Sequence, residues 1–268
     1  MNIICIDDPD DPKLDPYRDL RHEDVRRRGS RFIAEGKLVV QRLLQSRYPT
    51  DSILAEQTRL AAVEPYVGST TPIYVVSLGL MQTVTGFAFH RGLLACGRRV
   101  PFASIDQLNE GTELHPIALA AISLNDLENL GSLIRTAAAL GIFRMVLNRQ
   151  TADPLCRRVL RVSMGAALKM QFFDLAEPLP WLQHNRQRDL WQTVAMTLAP
   201  DSISIQQAVK QMEGARMIVM GNEGAGLPEA IQQACHIRAK IPMAPGIDSL
   251  NVAVAGAIAL YEFTRDVA

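Results

Sequence analysis

The 268-residue chain is 48% hydrophobic and 21% charged, with 28 basic against 28 acidic side chains and a formal net charge of zero. These proportions are ordinary for a soluble globular protein, and the length suits one large domain or two modest ones. No apolar run is long enough to span a bilayer, the acidic residues 1–11 are unlike a signal segment, and Cys5, Cys96, Cys156 and Cys235 lack Cys-x-x-Cys spacing. Membrane insertion, disulfides and a metal centre are therefore not expected, and the expected location is the cytoplasm.

The charge is unevenly spread. Residues 1–17 carry five aspartates and one lysine, whereas residues 18–47 carry nine arginines and lysines against four acids, among them Arg26, Arg27, Arg28 and Arg31. Such a run is either a solvated helix face or a grip on a polyanion. Phe32, Ile33, Leu38, Val39, Leu43 and Leu44 recur at helical spacing and predict an amphipathic helix from about Glu35. Short strands are expected at 53–54, 73–76 and 92–96, giving a small α/β domain. Residues 98–116 have few large apolar side chains and are punctuated by Gly111 and Pro116. They read as a linker with its boundary near Asn109, separating a domain 1–109 from a domain 110–268.

Beyond it, strands are expected at 117–124, 143–147, 170–174, 192–198 and 217–220, with another strand end at 241–243. Helices are expected at 127–140, near 155–167, and at 180–187, 205–212 and 228–235. A last helix starts near Ser249, a natural N-cap, and runs to Phe263. Alternation at this interval means an α/β fold, a parallel sheet with helices on both faces. A second basic segment, 144–169, holds six basic residues against one acid, including Arg157 and Arg161.

The apolar run 217–220 enters a turn with glycines at 221, 224 and 226. Its spacing is neither a dinucleotide fingerprint nor a Walker loop. It is either a plain strand-to-helix turn or a ligand loop; Glu223 among its amides would repel phosphate and suits a neutral or cationic ligand. Ligands in open α/β sheets sit beyond the carboxyl ends of strands, so the strand ends near Gly221 and Ile241 predict one shared pocket.

Asn129-x-Gly131-x-x-x-Arg135-Thr136-Ala137, Gly221-Asn222-Glu223-Gly224-x-Gly226-Leu227, and Ile241-Pro242-Met243 with Ser249-Leu250-Asn251-Val252 resemble, in order, the three motifs of the SpoU class of SPOUT RNA methyltransferases. The resemblance covers about 116–262. It implies a C-terminal trefoil knot, S-adenosylmethionine as cofactor, and a homodimer formed through the catalytic domain. Residues 26–36 and 90–95 resemble the ribosomal-protein-like, RNA substrate-binding domain often fused ahead of it, which implies rRNA rather than tRNA as partner.

By the same resemblance, Gly221, Asn222, Leu227, Ile241, Met243 and Leu250 hold the cofactor. Arg135, Asn129, Glu223, Ser249 and Asn251 form the catalytic group, and Arg26, Arg27, Arg28, Arg31, Arg157 and Arg161 contact RNA. A guanidinium, with a pKa above about 12, is a poor base. Arg135 is therefore expected to clamp a phosphate and polarise a ribose 2′-hydroxyl, while phosphate or water takes the proton. Ala253 stands where family members often carry serine. Plainer roles stay open: helix capping for Ser249 and Asn129, core packing for Leu227 and Met243, a solvated charge for Arg135. Two other readings are a base-nitrogen methyltransferase of the same superfamily and an RNA-binding protein with a decayed catalytic domain.

Overall fold

The structure, a computed structural model, describes residues 2–20, 29–87, 92–109, 116–247 and 249–265. The Arg26, Arg27 and Arg28 assignments lie outside them. Short apolar runs first build a mixed sheet from β1 (Asn2–Cys5), β2 (Arg31–Glu35), β3 (Thr50–Glu56), β4 (Pro72–Val76) and β5 (Leu93–Arg98). Their order is β1-β4-β3-β5-β2, with β4 parallel to β1 and β3, and β5 antiparallel to β3 and β2. Helices α1 (Lys37–Leu44) and α2 (Leu78–Thr85) follow β2 and β4. Leu14, Tyr17, Leu20, Ile33, Leu54, Met81 and Leu94 form one core cluster. Within that core, the Tyr17 hydroxyl pairs with Ser52 Oγ at 2.8 Å, so neither buried oxygen is left unsatisfied.

The helical reading of 32–46 holds only from Lys37. Phe32 and Ile33 belong to β2, which is buried from its second residue to its last. A strand covered on both faces loses the alternation that would mark it.

The chain clusters into two compact units: Met1–Pro101 with Asp153–Lys169, and Phe102–Ala152 with Met170–Ala268. In the second unit, β6 (Ala103–Ser104), β7 (Ile117–Ala121), α3 (Leu127–Ala139) and β8 (Arg144–Leu147) come first. The chain then departs through α4 (Arg157–Val162), which clusters with the first unit. It continues as β9 (Gln171–Asp174), α5 (Pro178–Arg188), β10 (Gln192–Met196), β11 (Ile203–Ser204) and α6 (Ile205–Gln211). It ends with β12 (Arg216–Met220), α7 (Glu229–Ala234), β13 (Ile237–Lys240) and α8 (Val252–Arg265).

These strands form one sheet ordered β11-β13-β10-β12-β7-β8-β9-β6, with every pairing parallel. Central strands such as β7 and β12 are almost wholly buried, as a sheet covered on both faces requires. Against it, α3 packs on α8 and α5 on α7. At the former contact, a Cβ on Gly256 would lie 2.3 Å from Leu133 Cδ1, so any larger residue there would force the Leu133 side chain to shift.

The compact units divide at Pro101, ahead of the expected boundary at Asn109. Residues before 109 already belong to the second sheet: β6 pairs with β9, Leu108 is buried, and Trp191 Nε1 donates to Asn109 Oδ1 at 2.6 Å. Among the described residues, no helix is long and apolar enough to cross a membrane, and no cluster of His, Cys, Asp or Glu could hold a metal ion.

Candidate active site

A strand that runs into a turn needs its backbone groups satisfied there. After β12, Asn222 and Gly226 exchange two backbone hydrogen bonds, at 3.1 and 3.0 Å, closing the glycine turn. A Cβ on Gly221 would lie 2.5 Å from Gly226 C and Leu227 N, so the turn closes only with glycine there. The Asn222 side chain fastens the turn twice over. Its Oδ1 accepts from the amides of Gly224 and Ala225, and its Nδ2 donates to the Ser123 carbonyl at 2.9 Å.

Glu223 ties this turn to α3. Its carboxylate accepts from the Asp126 amide at 2.9 Å, the Asn125 amide at 3.4 Å, Asn222 Nδ2 at 3.2 Å and Asn129 Nδ2 at 3.5 Å. A carboxylate against these amides is favourably placed beside the helix start. Asp126 caps α3 by accepting from the amides of Glu128 and Asn129. Asn129 therefore does not cap its own helix, and its Oδ1 accepts from Asn251 Nδ2 at 2.9 Å. Asn251 Oδ1 in turn accepts from the amides of Ala253 and Val254. Asn251, rather than Ser249, is thus the residue that caps α8.

Three sequence motifs are in this way joined by one polar chain, Glu223–Asn129–Asn251. Beside it lies a cavity of about 450 Å³, within the usual range of roughly 300–1,000 Å³ for small-molecule sites. Gly221, Asn222, Glu223, Leu227, Ile241, Met243, Ser249 and Leu250 all line it, together with Met196 at the end of β10 and residues 197–200 beyond it. Strand β13 ends at Lys240, one residue before the strand end expected at 241–243, so Ile241 and Met243 sit in the loop beyond it.

An apolar lining of Leu198, Met220, Leu227, Ile241 and Leu250, backbone groups of a glycine turn and a few charged side chains suit a ligand that is part aromatic base and part zwitterion. S-adenosylmethionine has that composition, so the residues present fit it.

Arg135 is not among the lining residues. It stands exposed on α3, and among the described residues its guanidinium makes no hydrogen bond or ion pair. Arg31 is exposed and pairs with Asp51 at 3.1 Å. Arg157 is a correction to its expected role at a phosphate: it is buried in the first unit and donates to Glu35 at 2.6 Å and to the Leu20 carbonyl. Its guanidinium lies over the Phe87 ring, 4.8 Å from the centroid. Arg161 is partly exposed, 3.9 Å from the same carboxylate.

Several positioning residues escape the motif reading. Asp126 stands directly before the apolar period of α3 and has the residue type of a cap, which is the signal that marks it. Gln232, which donates to the Leu227 carbonyl at 2.7 Å and accepts from Thr197 Oγ1 at 2.8 Å, carries no sequence signal.

Comparisons with known proteins give the family and the fold. The family model for the SpoU rRNA Methylase family matches residues 116–261. An uncharacterized tRNA/rRNA methyltransferase of Mycobacterium bovis is 39% identical, covering 99% of this chain and 93% of that one. The 23S rRNA (guanosine-2′-O-)-methyltransferase RlmB of Acinetobacter baylyi is 32% identical, covering 69% and 75%. Among solved structures, an rRNA methyltransferase from Sinorhizobium meliloti superposes over the full length of both chains with a TM-score of 0.81 at 23% identity. An AdoMet-bound rRNA methyltransferase from Sinorhizobium meliloti gives 0.78 at 24% identity, covering 99% of both chains.

Proposed function

The chain belongs to the SpoU rRNA methylase family, and from that premise we propose that it transfers the methyl group of S-adenosylmethionine to a ribose 2′-hydroxyl of structured RNA, rRNA rather than tRNA. The observation that carries this reading is the hydrogen-bonded chain Glu223–Asn129–Asn251 beside the cavity, which brings the polar residues of all three motifs to one place. The guanosine-2′-O specificity in the name of the Acinetobacter relative, and the AdoMet bound by the Sinorhizobium fold neighbour, support ribose as target and AdoMet as donor.

When bound, the donor supplies an electrophilic methyl group on sulfur, so the protein contributes mainly position and electrostatics. The glycine turn, Leu227, Ile241, Met243 and Leu250 wall the cavity that would hold it, with the chain threaded through the knot the resemblance implies. Asn129, Glu223 and Asn251 fix the loops relative to α3, and Ser249 orients the sugar from the cavity wall. Arg135, exposed and unengaged, supplies a fork for the neighbouring phosphate and polarises the hydroxyl, whose proton passes to phosphate or water. Arg31 and Arg161 add phosphate contacts that give affinity rather than sequence choice.

Leu250, Val254 and Tyr261 expose apolar surface at the start and along one side of α8, which suits a second copy of the chain in a homodimer. The protein acts in the cytoplasm on this reading. Mapping 2′-O-methylation in rRNA from cells with and without the gene tests it: one methylated ribose should disappear, and an unchanged map would overturn the assignment.

A further inference from the structure

We propose that Lys240 is the residue of the cavity that binds the α-carboxylate of the donor's methionine part, an inference that rests on S-adenosylmethionine being the ligand. Lys240 ends β13 and, among the described residues, is the only cationic side chain lining the cavity. It is half-buried, and among the described residues its ammonium makes no ion pair or hydrogen bond. A cation partly withdrawn from water without a partner is unfavourable, and an anionic ligand group would relieve it.

Among the described residues, the two acids that line the cavity are engaged elsewhere. Glu223 is held by the amides before α3, and Glu229 accepts from Gln233 Nε2 at 2.8 Å and pairs with Arg238 at 3.2 Å. Neither neutralises Lys240. The donor carries a sulfonium, an ammonium and one carboxylate, and the carboxylate is the only one of the three that an ammonium attracts. The strand order places β13 two strands from β12, so Lys240 lies away from the Gly221 turn and the polar chain attached to it. An RNA phosphate presented with its ribose to Arg135 is therefore the poorer partner for Lys240.

Methyl transfer removes the sulfonium charge and leaves the carboxylate unchanged. Lys240 thus holds donor and product alike, an interaction that sets KM and not kcat.

Calorimetry with the full-length chain tests this, using S-adenosylmethionine and decarboxylated S-adenosylmethionine, which keeps the sulfonium and the amine. Lys240→Met should weaken the first by about tenfold or more and leave the second unchanged, and Lys240→Arg should restore most of the loss. Lys240→Gln provides a second neutral variant should the Met variant fold poorly, and thermal unfolding of each reports on folding. Equal loss for both ligands, or no loss for S-adenosylmethionine, would overturn the assignment. So would an Lys240→Met variant that loses only RNA affinity. Wild-type protein binding neither ligand would overturn the cofactor reading itself, and this inference with it.

Discussion

Asn251 donates from Nδ2 to Asn129 Oδ1 at 2.9 Å while its own Oδ1 caps α8, so one side chain both starts the last helix and fastens it to α3. Asn251→Ala should cost about 1 kcal/mol of stability, the usual value of a lost cap. Methyl transfer should fall far more than that loss explains, because the loop 241–250 loses its anchor. Thermal unfolding and labelled-methyl transfer, measured side by side, separate the two effects.

The Gly221 turn makes a sharper steric prediction. Gly221→Ala drives a Cβ into Gly226 and Leu227, so it should destabilise by about 1–3 kcal/mol and abolish cofactor binding. Gly79→Ala, in α2 with open space around the added carbon, should be neutral or stabilising by up to about 1 kcal/mol. Denaturant titration of both variants checks the contrast.

Arg157 should behave as a core residue. Removing it takes the 2.6 Å ion pair from the buried Glu35 carboxylate and leaves Arg161 at 3.9 Å, so Arg157→Ala is expected to cost about 3 kcal/mol. Pairing it with Glu35→Leu should recover part of that loss. An Arg157→Ala variant with unchanged stability and weakened RNA binding would instead restore its role as a phosphate contact.

His236 predicts a pH dependence. Burial holds its pKa below the ordinary value of 6.5, assisted by Arg186 and opposed by Asp189. Its Nδ1 accepts from the Thr193 amide at 3.1 Å, which places the proton of the neutral ring on Nε2. Nε2 stands 3.4 Å from the exposed Asp189 carboxylate without hydrogen-bond alignment, so burial dominates. With the folded pKa depressed, the unfolded chain takes up the proton first. The stabilisation is present above pH 6.5 and is lost as pH falls through the folded pKa. The melting temperature of His236→Asn should therefore decline less between pH 7 and pH 5 than that of the wild type.

The catalytic half of the fold was legible because its strands are apolar runs that alternate with helical segments at a regular interval. The shared pocket followed from two strand ends, and the lining of Gly221 and Ile241 agrees with it. What stayed hidden depends on tertiary contact. β2 reads as helix because its buried residues do not alternate, and β6 is too short to register before it pairs with β9. Arg157 sits in a basic run that looks solvated, and only the fold brings Glu35 to it. The cap of α8 moved from Ser249 to Asn251 because residue type alone does not choose between neighbouring candidates.

Arg135→Lys keeps a positive charge and loses the planar fork. Methyl transfer should fall on the order of a hundredfold while S-adenosylmethionine affinity is unchanged. Undiminished transfer would remove the phosphate clamp from the account.

The most direct test is chemical identification of the product. The full-length protein, rRNA and methyl-labelled S-adenosylmethionine are incubated, and the RNA is hydrolysed with alkali. Label recovered in alkali-resistant dinucleotides is the predicted result, because a methylated 2′-oxygen cannot attack the adjacent phosphate. Label recovered on a base in ordinary mononucleotides would contradict it.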